Sequence, residues 1–241
     1  MPDPRHLLSV VGKSLFALVV FGIVVGGYAY GSWQWRLRTP LPDGTPRSGR
    51  CAIWFVGSST IHKWRNMREV MAPWDARNRG VNGATLAEVR ARYRADDADV
   101  GTPAAVVFYI GENDIADGAT GRDTAEGVAA LIRVQHARMP TTPVYVVGMK
   151  PSPTRWRFRP EQQRFDHAIR AEIATMRNTR YLAAGDTLLV RGRPGGFYQQ
   201  DGIHLNDEGY RRWGSFIRDQ VEASPALRAA PACDARAGRS A

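Results

Sequence analysis

Residues 104–114 read AAVVFYIGEND. An unbroken apolar run of this length, with no polar alternation, suits a strand covered on both faces. The glycine and the Asn/Asp pair that stop it are turn formers. Working outward, the same pattern recurs. Residues 52–56 (AIWFV) run into Gly57-Ser58-Ser59-Thr60, and residues 144–149 (VYVVGM) run into Lys150-Pro151-Ser152-Pro153-Thr154-Arg155-Trp156. A weaker strand starts at Tyr181, and a short one is expected before Gly80. Helical patterns fall between these runs, at about 61–71, 86–95, 124–139, 160–176 and 207–221. Asn206 is the expected N-cap of the last of them, with Glu208 in its first turn. Alternating strands and helices predict an α/β domain, three layers deep, with a parallel sheet of about five strands. In such sheets ligands bind beyond the carboxyl ends of the strands.

The 241 residues are enough for one domain with a sizeable core plus extra segments. The formal net charge is +10, carried almost wholly by arginine, since Lys13, Lys63 and Lys150 are the only lysines. The arginines are scattered rather than gathered in a stripe. They therefore read as a solvated surface and not as a nucleic-acid footprint. No phosphate-binding glycine loop, Cys/His metal cluster or nucleic-acid motif occurs.

The N-terminus differs from the rest. Residues 14–30 (SLFALVVFGIVVGGYAY) carry no charge, and Tyr28, Tyr30, Trp33 and Trp35 cluster at the far end. Amphipathic rings favour a membrane interface, and extension through Trp35 gives a bilayer-spanning length. Residues 1–35 are read as a transmembrane anchor, with a cleaved signal peptide as the alternative. The domain after it is expected outside the cytoplasm, because the apolar run comes first. Residues 36–50 are Pro/Gly-rich and read as a linker. The folded domain is expected over 51–223, with an irregular tail over 224–241. Cys51 and Cys233 are the chain's two cysteines. They form either one disulfide in an oxidising compartment or two unpaired thiols.

Four segments at strand ends carry chemistry. Ser59 follows a glycine turn at the start of a helix, where developing negative charge is stabilised, although a serine there also suits an N-cap. Residues 78–85 (NRGVNGAT) hold Gly80 and Gly83, which let backbone approach a ligand. Asn113, in GEND, offers a side-chain amide to an oxyanion. Asp201 and His204, in DGIHLN, can pair so that one ring nitrogen stays free as a base. Arg155 and Trp156 lie on the rim where a substrate would bind.

These four blocks, in this order, resemble the SGNH/GDSL hydrolase family over roughly residues 52–221. The resemblance implies a flavodoxin-like three-layer fold and a serine esterase without metal or cofactor. Ser59 would be its nucleophile, His204 its general base and Asp201 the residue that orients the base. The backbone N–H groups of Ser59 and Gly83 and the amide of Asn113 would form the oxyanion hole. The partners implied are a small or polymer-borne ester and, through the N-terminal segment, a membrane. The first block departs from the family's Gly-Asp-Ser: Ser58 stands in the place of the aspartate, followed by Trp64. That departure keeps open a catalytically silent carbohydrate-binding module, and the same triad also serves an O-acyltransferase.

Overall fold

The computed structural model describes residues 4–43, 51–96 and 101–228. The chain divides into two units, residues up to Thr39 and residues from Pro40 onward.

The first unit is one helix, α1 (Pro4–Arg38). Its stretch Lys13–Arg38 is 26 residues long and contains an 18-residue window with a mean hydropathy of 1.8. At 1.5 Å per residue it spans about 39 Å, more than the ~30 Å of a bilayer's hydrocarbon core. It is long and apolar enough to cross a membrane, and Phe16, Phe21, Ile23, Tyr28 and Trp35 are exposed along it. The helix continues through Arg38 into the stretch expected to be linker.

The second unit is built on a five-stranded sheet in the order β2-β1-β3-β4-β5, in which every pairing is parallel. The strands are β1 (Ala52–Gly57), β2 (Asp75–Gly80), β3 (Ala105–Tyr109), β4 (Val144–Val147) and β5 (Thr179–Leu182). Successive side chains leave opposite faces of a strand. Trp54, Val56, Val106, Phe108, Val144 and Val146 therefore enter one core layer, while Ile53, Phe55, Val107, Tyr109, Tyr145 and Val147 enter the other. Two covered faces explain why the three central strands read as unbroken apolar runs.

On the first face lie α4 (Leu86–Arg94), α6 (Gly121–Arg138) and α7 (Arg159–Ile173), which contribute Val89, Tyr93, Val128, Ile132, Phe165 and Ile169. On the second lie α2 (Ser59–His62), α3 (Met67–Val70) and α8 (Asp207–Glu222), with Ile61, Met67, Trp213 and Ile217. The short α5 (Glu112–Ala116) follows β3, and a two-stranded ribbon, β6 (Leu189–Val190) with β7 (Arg193–Pro194), precedes the last loop.

The single helix expected over 61–71 is two pieces. The Asn78 side-chain amide donates to the Ile61 carbonyl at 2.7 Å and to that of His62 at 3.4 Å. The Ile61 carbonyl also accepts from Trp64 N–H at 3.1 Å, a tight turn rather than the next turn of an α-helix. The residues between the two helices turn Trp64 inward, where it stacks on Tyr210 and packs against Trp213.

Part of the expected linker is bound to the domain. Leu41 is buried, and its N–H donates to Asp96. Arg79 donates to the Pro42 carbonyl and forms an ion pair with Asp96 at 2.9 Å, while its guanidinium covers the Trp54 ring at 4.4 Å. The paired side chains are 0% and 1% exposed. Removing one partner of a buried pair leaves a charge without compensation. Arg79→Met is therefore expected to destabilise the domain by about 3–5 kcal/mol. A urea midpoint followed by tryptophan fluorescence checks this, and Arg79→Met/Asp96→Leu is expected to recover much of the loss. Beyond Ser224 the expected irregular tail begins with a one-turn helix, α9 (Pro225–Arg228), whose Leu227 is buried. Cys51 is disulfide-bonded. Cys233 lies outside the described residues.

Candidate active site

The carboxyl ends of β1, β2, β3 and β4 and the loop before α8 converge on one edge of the sheet. At the end of β1, a side chain on Gly57 would meet the Tyr109 carbonyl oxygen at 2.1 Å. Glycine there lets β1 and β3 close up, and the chain turns straight into α2. Ser58 is buried, and its carbonyl accepts from Ile61 N–H and His62 N–H. Ser59 is the first residue of α2, so its N–H has no acceptor within the helix. Asn78 of β2 holds α2 from below, while its side-chain oxygen accepts from Gly80 N–H.

His204 Nε2 lies 2.9 Å from Ser59 Oγ, and His204 Nδ1 lies 2.5 Å from Asp201 Oδ2. A carboxylate only accepts, so Nδ1 carries the proton and Nε2 faces the hydroxyl as an acceptor; the tautomer is assigned from these partners. Asp201 Oδ1 accepts from the N–H groups of Ile203 and His204. Burial opposes ionisation of Asp201, but the hydrogen bonds from His204 and from these two N–H groups outweigh it, and the carboxyl stays well below its usual range. The loop is tied to the β4 side by Thr154, whose hydroxyl donates to the Asp201 carbonyl at 2.7 Å. Asn206 caps α8 as expected, accepting from Gly209 N–H. Tyr210 of α8 then donates to the Thr60 carbonyl and joins the His204 side to the Ser59 side.

Burial lowers the basicity of His204. Asp201 opposes this, and the ammonium groups of Lys63 and Lys150 add to it, leaving the imidazole below its ordinary 6.5. Lys63 Nζ lies 3.2 Å from Nδ1. With Nδ1 protonated toward Asp201, that contact places one positive charge against another group that would become positive.

The possible oxyanion donors face the same edge. Gly83 is exposed with φ of +70°, in the left-handed region, and its N–H has no acceptor among the described residues. Asn113 donates from Nδ2 to the Ala84 carbonyl at 3.0 Å, and its Oδ1 accepts from Arg155 at 2.9 Å. A guanidinium only donates and a carbonyl only accepts, so the orientation of the amide is determined and one Nδ2 hydrogen remains free. Asp114 accepts from Leu86 N–H and so holds the start of α4.

Arg155 was expected to meet substrate. Its guanidinium is engaged by Asn113 and, at 3.5 Å, by Glu112. Trp156 is half-buried, with the Arg193 guanidinium 5.3 Å from its ring. A buried network not expected from sequence lies beneath: Lys150 Nζ sits 2.6 and 2.7 Å from the Glu112 carboxylate, and Tyr109 donates to Glu112 at 2.9 Å. Burial raises the pKa of Glu112, but the charges of Lys150 and Arg155 prevail and keep it ionised. The signal for this network was slight: an acid directly after one apolar strand and a lysine directly after the next.

A three-layer α/β fold with a serine, an imidazole and a carboxylate linked at its strand ends defines the class. The GDSL-like lipase/acylhydrolase family model matches residues 53–212, and the chain belongs to that family. It is 24% identical over 178 residues to human platelet-activating factor acetylhydrolase IB subunit alpha2, covering 66% of this chain and 71% of that protein. Among solved structures it is similar to a GDSL-like lipase from Bacteroides thetaiotaomicron, with a TM-score of 0.59 at 20% identity over 72% of this chain and 88% of the other. It is also similar to a family 3 carbohydrate esterase from Clostridium thermocellum, with a TM-score of 0.59 at 16% identity over 72% and 98%.

Proposed function

We propose that the chain is a membrane-anchored serine esterase in which Ser59, His204 and Asp201 are the catalytic residues. The observation that carries this is the continuous link from Ser59 Oγ to His204 at 2.9 Å and on to Asp201 at 2.5 Å. A serine hydroxyl is a weak nucleophile until a neighbouring base takes its proton. His204 Nε2 accepts that proton as Ser59 Oγ attacks the ester carbonyl. The tetrahedral oxyanion is met by the N–H groups of Ser59 and Gly83 and by the free amide hydrogen of Asn113. His204 then protonates the leaving alcohol, and water hydrolyses the acyl-enzyme with His204 again as base. Arg155 acts through Asn113, as a positioning residue. Ser58 takes no part in these steps, so its presence where the family has aspartate is compatible with activity.

The name of one similar protein, a platelet-activating factor acetylhydrolase, favours a short acyl group. The detergent-solubilised chain is expected to hydrolyse p-nitrophenyl acetate faster than longer-chain esters. No hydrolysis of any member of the series would remove the esterase reading. Product analysis with and without a polyol separates water from a sugar hydroxyl as the acceptor. Helix α1 supports attachment through residues 1–35, with the domain outside the cytoplasm; a shortened N-terminus in the mature protein would point to secretion instead.

The depressed basicity of His204 has a kinetic consequence. The neutral base is needed, so kcat/KM should rise with pH through an apparent pKa below 6.5 and be level by neutral pH. Lys63→Met removes one of the charges opposing the imidazolium, and the acidic limb should move upward. A pH–rate profile of both proteins checks this. A limb that stays in place would remove Lys63 as a cause.

A further inference from the structure

Beside the triad lies a cavity of about 510 Å³ whose lining includes His62, Lys63, Arg65, Asn82, Gln199 and Asp207. Its basic residues come from one short segment, the end of α2 and the turn after it. Elsewhere in the domain several arginines are matched to acids, among them Arg79 to Asp96, Arg92 to Glu88, Arg155 to Glu112 and Arg159 to Asp166. Here they are not. Among the described residues Arg65 has no ion pair or hydrogen-bond partner, the His62 ring has none, and the Lys63 ammonium touches only His204. Asp207, in the first turn of α8, is the one acid on the lining. Positive groups left without acids in a concavity concentrate an anion there.

We infer that this cavity is an anion subsite, formed by Arg65 and Lys63 with His62 at its rim, that receives a phosphate or carboxylate carried on the alcohol portion of the ester. The inference rests on the esterase reading of the preceding section. The side of the ester follows from the geometry. The acyl carbonyl must turn toward Ser59, Gly83 and Asn113, whereas the leaving oxygen must come within reach of His204. The cavity shares its wall with His204: Gln199 N–H donates to the His204 carbonyl at 2.8 Å, and Lys63 meets its ring. A group that continues past the leaving oxygen therefore runs along the Lys63–Arg65 wall. Asn82 and Gln199 supply neutral hydrogen-bonding groups for the remainder of that alcohol.

The test compares kcat/KM of the detergent-solubilised full chain on matched pairs. These are monoacetyl glycerol against its glycerol phosphate counterpart, and methyl 4-acetoxybenzoate against 4-acetoxybenzoate. The anionic member of a pair is expected to be preferred about tenfold at low ionic strength, with the preference falling as salt screens it. The larger of the two ratios identifies phosphate or carboxylate as the group recognised. Arg65→Gln should reduce that ratio by about three- to fivefold, the scale of one exposed charge contact. Phenyl hemisuccinate against phenyl methyl succinate places the charge on the acyl side instead, and a preference confined to that pair would overturn the assignment to the alcohol side. A wild-type ratio at or below one, or a ratio unchanged in a folded Arg65→Gln, would overturn the subsite itself. Calorimetric binding of inorganic phosphate is independent of turnover: it should be measurable in wild type and weaker in Arg65→Gln, and equal or absent binding would count against the subsite. Phosphate binding without hydrolysis of any ester would remove the esterase reading, and with it the assignment to an ester's alcohol. Hydrolysis of the neutral esters without an anion preference would remove only the subsite.

Discussion

Ser59→Ala and His204→Ala are each expected to lower kcat on p-nitrophenyl acetate by on the order of 10⁵- to 10⁶-fold, and the double variant no further. The two groups act in one step. Without Ser59 Oγ there is no atom to acylate, and without the imidazole the hydroxyl keeps its proton. Fluorophosphonate labelling should vanish in Ser59→Ala and fall steeply in His204→Ala. Labelling that persists in Ser59→Ala would move the nucleophile to another residue. Asp201→Asn should cost about 10⁴-fold, because an amide facing Nδ1 no longer holds the proton there and the ring loses the tautomer that accepts from serine. Asp201 Oδ1 also accepts two backbone N–H groups. Asp201→Ala should therefore loosen the loop as well, and its thermal midpoint should fall below that of Asp201→Asn.

Asn113→Ala is expected to lower kcat by about 10²- to 10³-fold with little change in KM, since the amide donates to charge that exists only along the reaction path. The same reasoning separates two roles for Arg155. If it positions Asn113 through the 2.9 Å contact, Arg155→Met lowers kcat by about tenfold, the weight of one lost charge-assisted hydrogen bond. KM should then hold, and Arg155→Lys should restore only part, because a single ammonium cannot serve Asn113 and Glu112 in the same fork geometry. If Arg155 binds substrate instead, as its position on the rim suggested, Arg155→Met raises KM and spares kcat. Steady-state kinetics of the two variants distinguish these outcomes.

How much was legible depended on where each residue lies. The strands β1, β3 and β4 are covered on both faces, so their apolar runs announced them. Strand β2 (DARNRG) lies at the sheet edge, where polar and charged side chains are accommodated, and only the glycine at its end marked it. The break between α2 and α3 was hidden because the Asn78 amide that binds the carbonyls at its start sits on another strand. Asn206 and the turn of α8 were readable because a cap is a local contact between residues three apart. Arg79 was unreadable: it looks like any surface arginine until Asp96 and the Pro42 carbonyl close over it.

The candidate site divides along the same line. Ser59, Gly83, Asn113, Asp201 and His204 stand in short motifs at strand ends, so their kinds and order are visible in the linear chain, as is the Asp201–His204 contact across three residues. The pairings that give the site its character span much longer distances: 145 residues from Ser59 to His204, 141 from Lys63 to His204, 42 from Asn113 to Arg155 and 38 from Glu112 to Lys150. Those depend on the strand order β2-β1-β3-β4-β5 and on the parallel register that brings the strand ends to one edge. A local pattern states that a segment is a strand with two buried faces. It does not state which strand lies beside it, and it is that neighbour which decides what a side chain in the following loop will touch.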